Sequence, residues 1–289
     1  MTTAETLRRP VAADALKTVL MHEHVIFLDE EMRRNHPELW DEGHVVAEPV
    51  EKLTGLAERG VSTIVDPTVV GPGRDVTRVA RVNAHVDINM FVKGLTEGVA
   101  DTGVRAGIAK CALDESLTPG VERVIRAVAR AHLATGAPTV VHTSAPHKTG
   151  LVAQDVFRSK GVDPDARDLD HSGDADELDY VRTLIDQGSY MGMVRFGLGL
   201  YLPGEKRIAN LVRLLDEGLA DQLMLSDDAS CHSDWLPPRT REQVAPSWHF
   251  AYLHQHVLPA LRRAGVGEEQ ITTMFVDNPR RFLTRGRPS

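Results

Sequence analysis

The chain has 289 residues, 42% hydrophobic and 26% charged, which is the balance of a globular protein and excludes a disordered one. Its 41 acidic against 33 basic residues leave a formal charge of −8, which argues against nucleic acid as a partner, because neutralising phosphates takes a basic surface. No apolar run approaches the ~18 residues of a membrane span, and the first residues lack the basic head and apolar core of a secretion signal.

Strand and helix patterns then alternate along the chain. Thr18–Val25 reads as a strand, Ala47–Arg59 as a helix ending at Gly60, and Val61–Val65 as a second strand followed by the helix Val76–His85. Asp87–Val92 is a weaker third strand and Gly107–Leu113 a fourth, with the helix Pro119–Thr135 closed by Gly136. Thr139–Thr143, Arg167–His171, Tyr190–Phe196 and Gln222–Ser226 continue the strands, separated by the helices Leu151–Lys160, Asp174–Asp186 and Glu205–Glu217. Trp248–Arg263 and Glu268–Phe282 are closing helices. Glycine just past several helices marks left-handed caps. Eight such units predict a (β/α)8 TIM barrel, and the chain, 1–289, reads as one domain without internal repeats or linkers. A doubly wound open sheet is the structural alternative, weakened by the lack of G-x-G-x-x-G after the first strand. Two distant cysteines, Cys111 and Cys231, predict reduced thiols and a cytoplasmic home. The arginines from Arg280 to Arg287 read as a solvated end.

The chemistry lies at the strand ends. His22 and His24 are two apart, which puts both imidazoles on one face of a strand. Lys110 is a single cation in an apolar strand, where it either pairs or loses its proton. A neutral lysine there could capture carbon dioxide, and the carbamate could bridge two metals. His142 and His171 each end a strand, and Asp227 or Asp228 ends the eighth. Taken singly, each histidine reads as a satisfied structural residue. Taken together, strands one, four, five, six and eight deliver metal-competent groups to the end where barrel active sites lie, with the nitrogen and oxygen donors that suit Zn2+ and related ions. His232 is a candidate to line the same pocket, whereas His36 and His44 have no evident partners.

Leu20-Met-His-Glu-His-Val-Ile, Thr63-Ile-Val-Asp-Pro-Thr, Gly73-Arg-Asp-Val, Arg105-Ala-Gly-Ile-Ala-Lys-Cys-Ala, Asp170-His-Ser-Gly-Asp, Leu225-Ser-Asp-Asp-Ala and Asp277-Asn-Pro-Arg-Arg-Phe together resemble the phosphotriesterase family, within the amidohydrolases, and most of all its lactonase-like branch. The resemblance implies two divalent metal ions, with His22, His24 and Asp228 on the first, His142 and His171 on the second, and carbamylated Lys110 bridging them. It favours Asp228 over Asp227. It also implies Zn2+, Co2+, Mn2+ or Fe2+ as the metal, a metal-bridging hydroxide that attacks a small-molecule lactone or related ester, a side activity on phosphotriesters, and a homodimer. Asp228 would take the proton and Arg195 would bind substrate.

Three departures stand out. The family carries a few tens more residues around the third strand, including much of that strand and a loop whose tyrosine abuts the substrate. Here only Lys93 to Ala106, 14 residues, connect strands three and four, so the barrel is expected to be distorted or shortened at the third unit. Val194 stands where the family tends to have Asp, and Asp227 adds a negative charge beside the metals. Two other readings stay open: a mononuclear amidohydrolase or deaminase without the bridging lysine, and a degenerate member that binds ligand or metal without efficient turnover.

Overall fold

The computed structural model describes residues 2–68, 73, 75–86, 89–92, 107–236 and 238–285. In chain order the elements are β1 (Thr3–Ala4), β2 (Val11–Ala12), β3 (Val19–Leu20), β4 (His24–Phe27), α1 (Glu30–Asn35), α2 (Glu42–Ala57), β5 (Thr63–Asp66), α3 (Val76–Asn83), β6 (Asn89–Val92), β7 (Ala109–Leu113), α4 (Pro119–Thr135), β8 (Thr139–Thr143), α5 (Thr149–Arg158) and β9 (Arg167–Asp170). They continue with α6 (Leu178–Asp186), β10 (Met191–Met193), α7 (Gly204–Asp216), β11 (Leu223–Leu225), β12 (Ser230–Ser233), α8 (Pro238–Val244), α9 (Leu258–Arg263), α10 (Glu268–Thr272) and α11 (Asn278–Thr284).

Apart from the antiparallel β1–β2 pair, every ladder among the described residues is parallel. The ladders run β3–β5–β6, β7–β8–β9, β10–β11 and β12–β4. Further backbone hydrogen bonds join them: the Tyr190 N–H donates to Arg167 and its carbonyl accepts from Leu169, the Asp228 N–H donates to the carbonyl of His22, and the Glu23 N–H to Val65. Backbone pairing can thus be followed from β6 through β5, the first strand, the eighth, β10 and β9 to β7. Between β6 and β7 lie residues 93–106, outside the described residues. The third strand is not lost, because Asn89–Val92 pairs along the whole of β5, from Thr63 opposite Asn89 to Asp66 opposite Val92.

Local chemistry explains the helices. Thr118 caps α4 by accepting the Val121 N–H, Pro119 opens it, and Gly136 ends it at φ 70°, a conformation that glycine adopts without a Cβ penalty. Helix α2 starts five residues before the sequence expectation because Asp41 caps the His44 N–H; the helical pattern carries through Pro49. The last two expected helices are broken by π turns at Leu253–Val257 and Thr273–Asp277. The arginine-rich end is not merely solvated: Arg280 pairs with Asp277, Arg281 with Asp221, and Arg285 with Asp163 and Asp165. Arg287 lies outside the described residues.

Two apolar clusters hold the fold. The larger lies between strands and helices. The smaller joins Val19, Val65, Ile108, Val140 and Met224 from the strands to Leu16, Phe282 and Leu283. Strand alternation then decides where the polar groups go: two residues beyond Ile108 is Lys110, and two beyond Val140 is His142. The apolar layer therefore floors the site. Cys111 and Cys231 are both buried and form no disulfide among the described residues, and no described helix is long and apolar enough to cross a membrane.

Candidate metal centre

His22 falls in the break between β3 and β4 rather than within a continuous strand, yet its ring lies 5.2 Å from that of His24. Each imidazole is gripped by its inner nitrogen. Nδ1 of His22 is 2.7 Å from Asp170 Oδ2, and Nδ1 of His24 is 2.6 Å from the Thr68 hydroxyl, which itself bonds Asp66. With those nitrogens donating, both Nε2 atoms carry a lone pair, and both face one oxygen: Asp228 Oδ1 is 3.4 Å from His22 Nε2 and 3.2 Å from His24 Nε2.

Lys110, on β7, reaches the same point, with Nζ 3.3 Å from His22 Nε2 and 3.5 Å from Asp170 Oδ2. His142, next to last in β8, lies against His171 with the rings tilted and their centroids 4.2 Å apart. Burial, then the charges of Lys110 and Arg195, push His142 down to about 3. Burial, then His142 and Arg195, likewise lower His171. Both rings are thus neutral and available as donors. Neither nitrogen of the buried His171 has a hydrogen-bond partner among the described residues, a state that costs about 1–3 kcal/mol unless a ligand relieves it.

Of the adjacent aspartates, Asp228 faces the histidines and lines the pocket. Burial would raise its carboxyl, but the neighbouring His22, His24 and Arg195 outweigh burial and hold it below the usual range. Asp227 is buried outside the pocket lining, and burial raises its carboxyl well above normal, which favours the neutral form over an added charge. Its N–H and that of Ala229 are held by the buried carboxyl of Glu23.

Arg195 Nε lies 3.2 Å from Asp228 Oδ2, NH1 lies 3.0 Å from Asp174 Oδ2, and the guanidinium covers Tyr201 at 4.1 Å. Buried Arg207 bonds the other oxygen of Asp174 and the carbonyl of Val194. His171, Arg195 and Asp228 all take left-handed backbone, at φ 67°, 62° and 53°. Such strain persists where surrounding structure enforces it, and here it aims three side chains at one place. His22, His24, Lys110, His142, His171, Arg195 and Asp228 all line one cavity of about 520 Å³.

Comparison with known proteins accords with this geometry. A Mycobacterium tuberculosis protein named "Phosphotriesterase homology protein" is 42% identical, covering 97% of this chain and 97% of its own length. An "Aryldialkylphosphatase" from Saccharolobus solfataricus is 35% identical over 92% of this chain and 94% of its own. The phosphotriesterase family model matches residues 2–94 and 88–283. The chain belongs to the phosphotriesterase family. A solved structure described as the phosphotriesterase from Mycobacterium tuberculosis superposes with a TM-score of 0.94 at 41% identity, covering 98% of each chain. Family and superposition together imply a TIM-barrel fold. The first alignment spans 316 positions, more than this chain's 289, so that relative carries residues without a counterpart here. The family match divides into segments that overlap at residues 88–94, which puts the shortening at the third unit.

Phosphotriesterase-family proteins are known for binuclear metal centres, and this donor set suits such a centre: neutral imidazoles, an ionised carboxylate and two unpartnered ring nitrogens on His171. Sequence reasoning gave no role to Asp170, Thr68, Asp66 and Asp174, which hold the site's side chains in place. Their signal lay in the quoted motifs, since Asp170 follows Asp168 at strand spacing and Thr68 ends the Asp-Pro-Thr block. His232 does not line the central cavity. It lies with His44 and Glu48 in a smaller pocket of about 250 Å³, so His44 has partners after all.

Proposed function

We propose that the protein is a hydrolase that holds two divalent cations, Zn2+ or a relative such as Co2+, Mn2+ or Fe2+, and opens a lactone or related ester. His22, His24 and Asp228 would hold one, His142 and His171 the other, with carbamylated Lys110 linking them. The observation that carries this reading is the Lys110 amine 3.3 Å from His22 Nε2, among imidazoles of which one has two empty nitrogens. A mononuclear site gives no reason for a lysine in that position. Bound there, the cations would supply a hydroxide nucleophile near neutral pH and polarise the substrate oxygen.

The chain's own residues do the rest. Asp228 stays ionised and so can accept a proton from the attacking water and return it to the leaving alkoxide. Its bond from Arg195 fixes the carboxylate for that transfer. Arg195, pinned by Asp174 and stacked on Tyr201, offers a fixed cation to the substrate's oxygens. Phe27, Trp235 and Leu236 give the cavity an apolar wall that suits the hydrocarbon part of a lactone. The name of the Saccharolobus solfataricus relative supports phosphotriesters as a second substrate class. A cytoplasmic home and a homodimer belong to the same reading, the first supported by the absence of a disulfide, the second by family resemblance.

The test is Lys110→Ala. Metal analysis should find about two cations per chain in the parent and at least one fewer in the variant, with lactone turnover down by ~100-fold or more, as expected when a Lewis acid worth several kcal/mol is lost. A variant that keeps both cations and full rate refutes the bridging role. A parent that binds metal but turns over nothing on a lactone, ester and phosphotriester panel is a degenerate binder.

A further inference from the structure

A second group of metal-competent side chains lies outside the central cavity. His44 and Glu48 are four residues apart on α2 and so share a helix face. His232 comes from β12, which packs beside that helix. His44 Nε2 is 3.4 Å and His232 Nδ1 2.9 Å from the same atom, Glu48 Oε2, and all three ligand atoms lie within 4.8 Å of one another. Ligands on a tetrahedral zinc, with bonds of about 2.0–2.1 Å, sit roughly 3.4 Å apart, so only a small spreading is needed.

The surroundings leave these atoms facing one another. The other oxygen of Glu48 is taken by Lys52 at 2.6 Å, which leaves Oε2 for the histidines. The far nitrogen of His232, Nε2, is 3.1 Å from Asp234 Oδ1. A carboxylate on the outer nitrogen of a histidine fixes its tautomer and strengthens the inner nitrogen as a ligand. His44 is 57% exposed by side chain, so water can complete the coordination.

We propose that His44 Nε2, Glu48 Oε2 and His232 Nδ1 form a separate surface site for a borderline-soft divalent cation such as Zn2+. The cation takes the place of the proton that His232 otherwise shares with Glu48, and it clamps α2 to β12. Ser233 and Arg241 line both this pocket and the central one, so the clamp bears on the wall of the central cavity.

The test uses the metal-loaded full chain and His44→Ala, an exposed position that folding does not depend on. Both are equilibrated with the same Zn2+ buffer and counted for bound metal, and parent crystals soaked in Zn2+ are examined for anomalous scattering. One more cation per parent chain than per variant, with a peak between the three side chains, is the expected result. Equal counts, or no peak at that position, overturn the proposal. Because the reading is a difference, it does not depend on how many cations the central cavity holds.

Discussion

A histidine presents a nitrogen to a metal only as well as its other nitrogen is held. Asp170 does this for His22, and its carboxylate also stands 3.5 Å from Lys110. Burial would keep Asp170 protonated, but His22 and Lys110 outweigh burial and lower it. Nothing larger than glycine fits behind it, since a methyl at Gly192 would collide with Oδ1. Asp170→Asn preserves that shape while removing the charge. Cation affinity should fall by about 10–100-fold, with chelator competition as the measurement, and excess metal should restore much of the rate. Unchanged affinity would mean that Asp170 only fills space. His142, His171 and Asp228 are legible in the sequence as candidates because each is expected to end a strand, His22 and His24 because of their strand spacing, and Lys110 because it is a lone cation inside an apolar strand. Asp170 is not, because a buried carboxylate beside a histidine reads the same whether it grips that histidine or the next strand.

At the scale of elements, what sequence reasoning missed is the pairing of α2 with β12. Ser230-Cys-His-Ser233 has no apolar run, and it becomes a strand because Ser230 pairs opposite His24 and His232 opposite Ile26. That pairing puts His232 against Glu48. Burial favours neutral forms of both, but the bonds between them, with those from Asp234 and Lys52, raise His232 to about 9 and lower Glu48 to about 2. The stabilisation from His232 is complete below its ordinary 6.5 and lost as pH rises through about 9. That from Glu48 is complete above its ordinary 4.5 and lost as pH falls through about 2. Without added Zn2+, the parent should therefore lose thermal stability relative to His232→Gln between pH 6.5 and 9, by no more than ~2–4 °C for a partly exposed pair worth ~1 kcal/mol. Thermal melts of the two proteins across that range check the sign. Parallel curves would show that His232 does not titrate as its surroundings require.

For the whole molecule, the order of strands and helices was legible because glycine stops and apolar runs punctuate it, while the third unit was not. Asp87–Val92 reads as a weak third strand while the family resemblance implies that much of that strand is missing, and Asn89–Val92 decides between the two by pairing with β5. The proposed ligands are spread over three ladders: His24 lies on β4, paired with β12; Lys110 on β7, His142 on β8 and His171 just after β9 share another; and Asp228 follows β11, paired with β10. Only a few backbone hydrogen bonds among the described residues join these ladders, so cations bound at the centre would be cross-links between strands far apart in the chain. A ligand that binds only the folded state stabilises it by about 2.7 kcal/mol at 100 times its Kd. Stripping the metals should therefore lower the thermal midpoint in a way that depends on free metal concentration. Hydrogen exchange should quicken on β4, β7, β8 and β9 together, since each loses the same tie. Were exchange to rise near His22 and His24 alone, the cations would be serving one strand rather than joining several, and the first strand by itself would be the metal's only partner in stability.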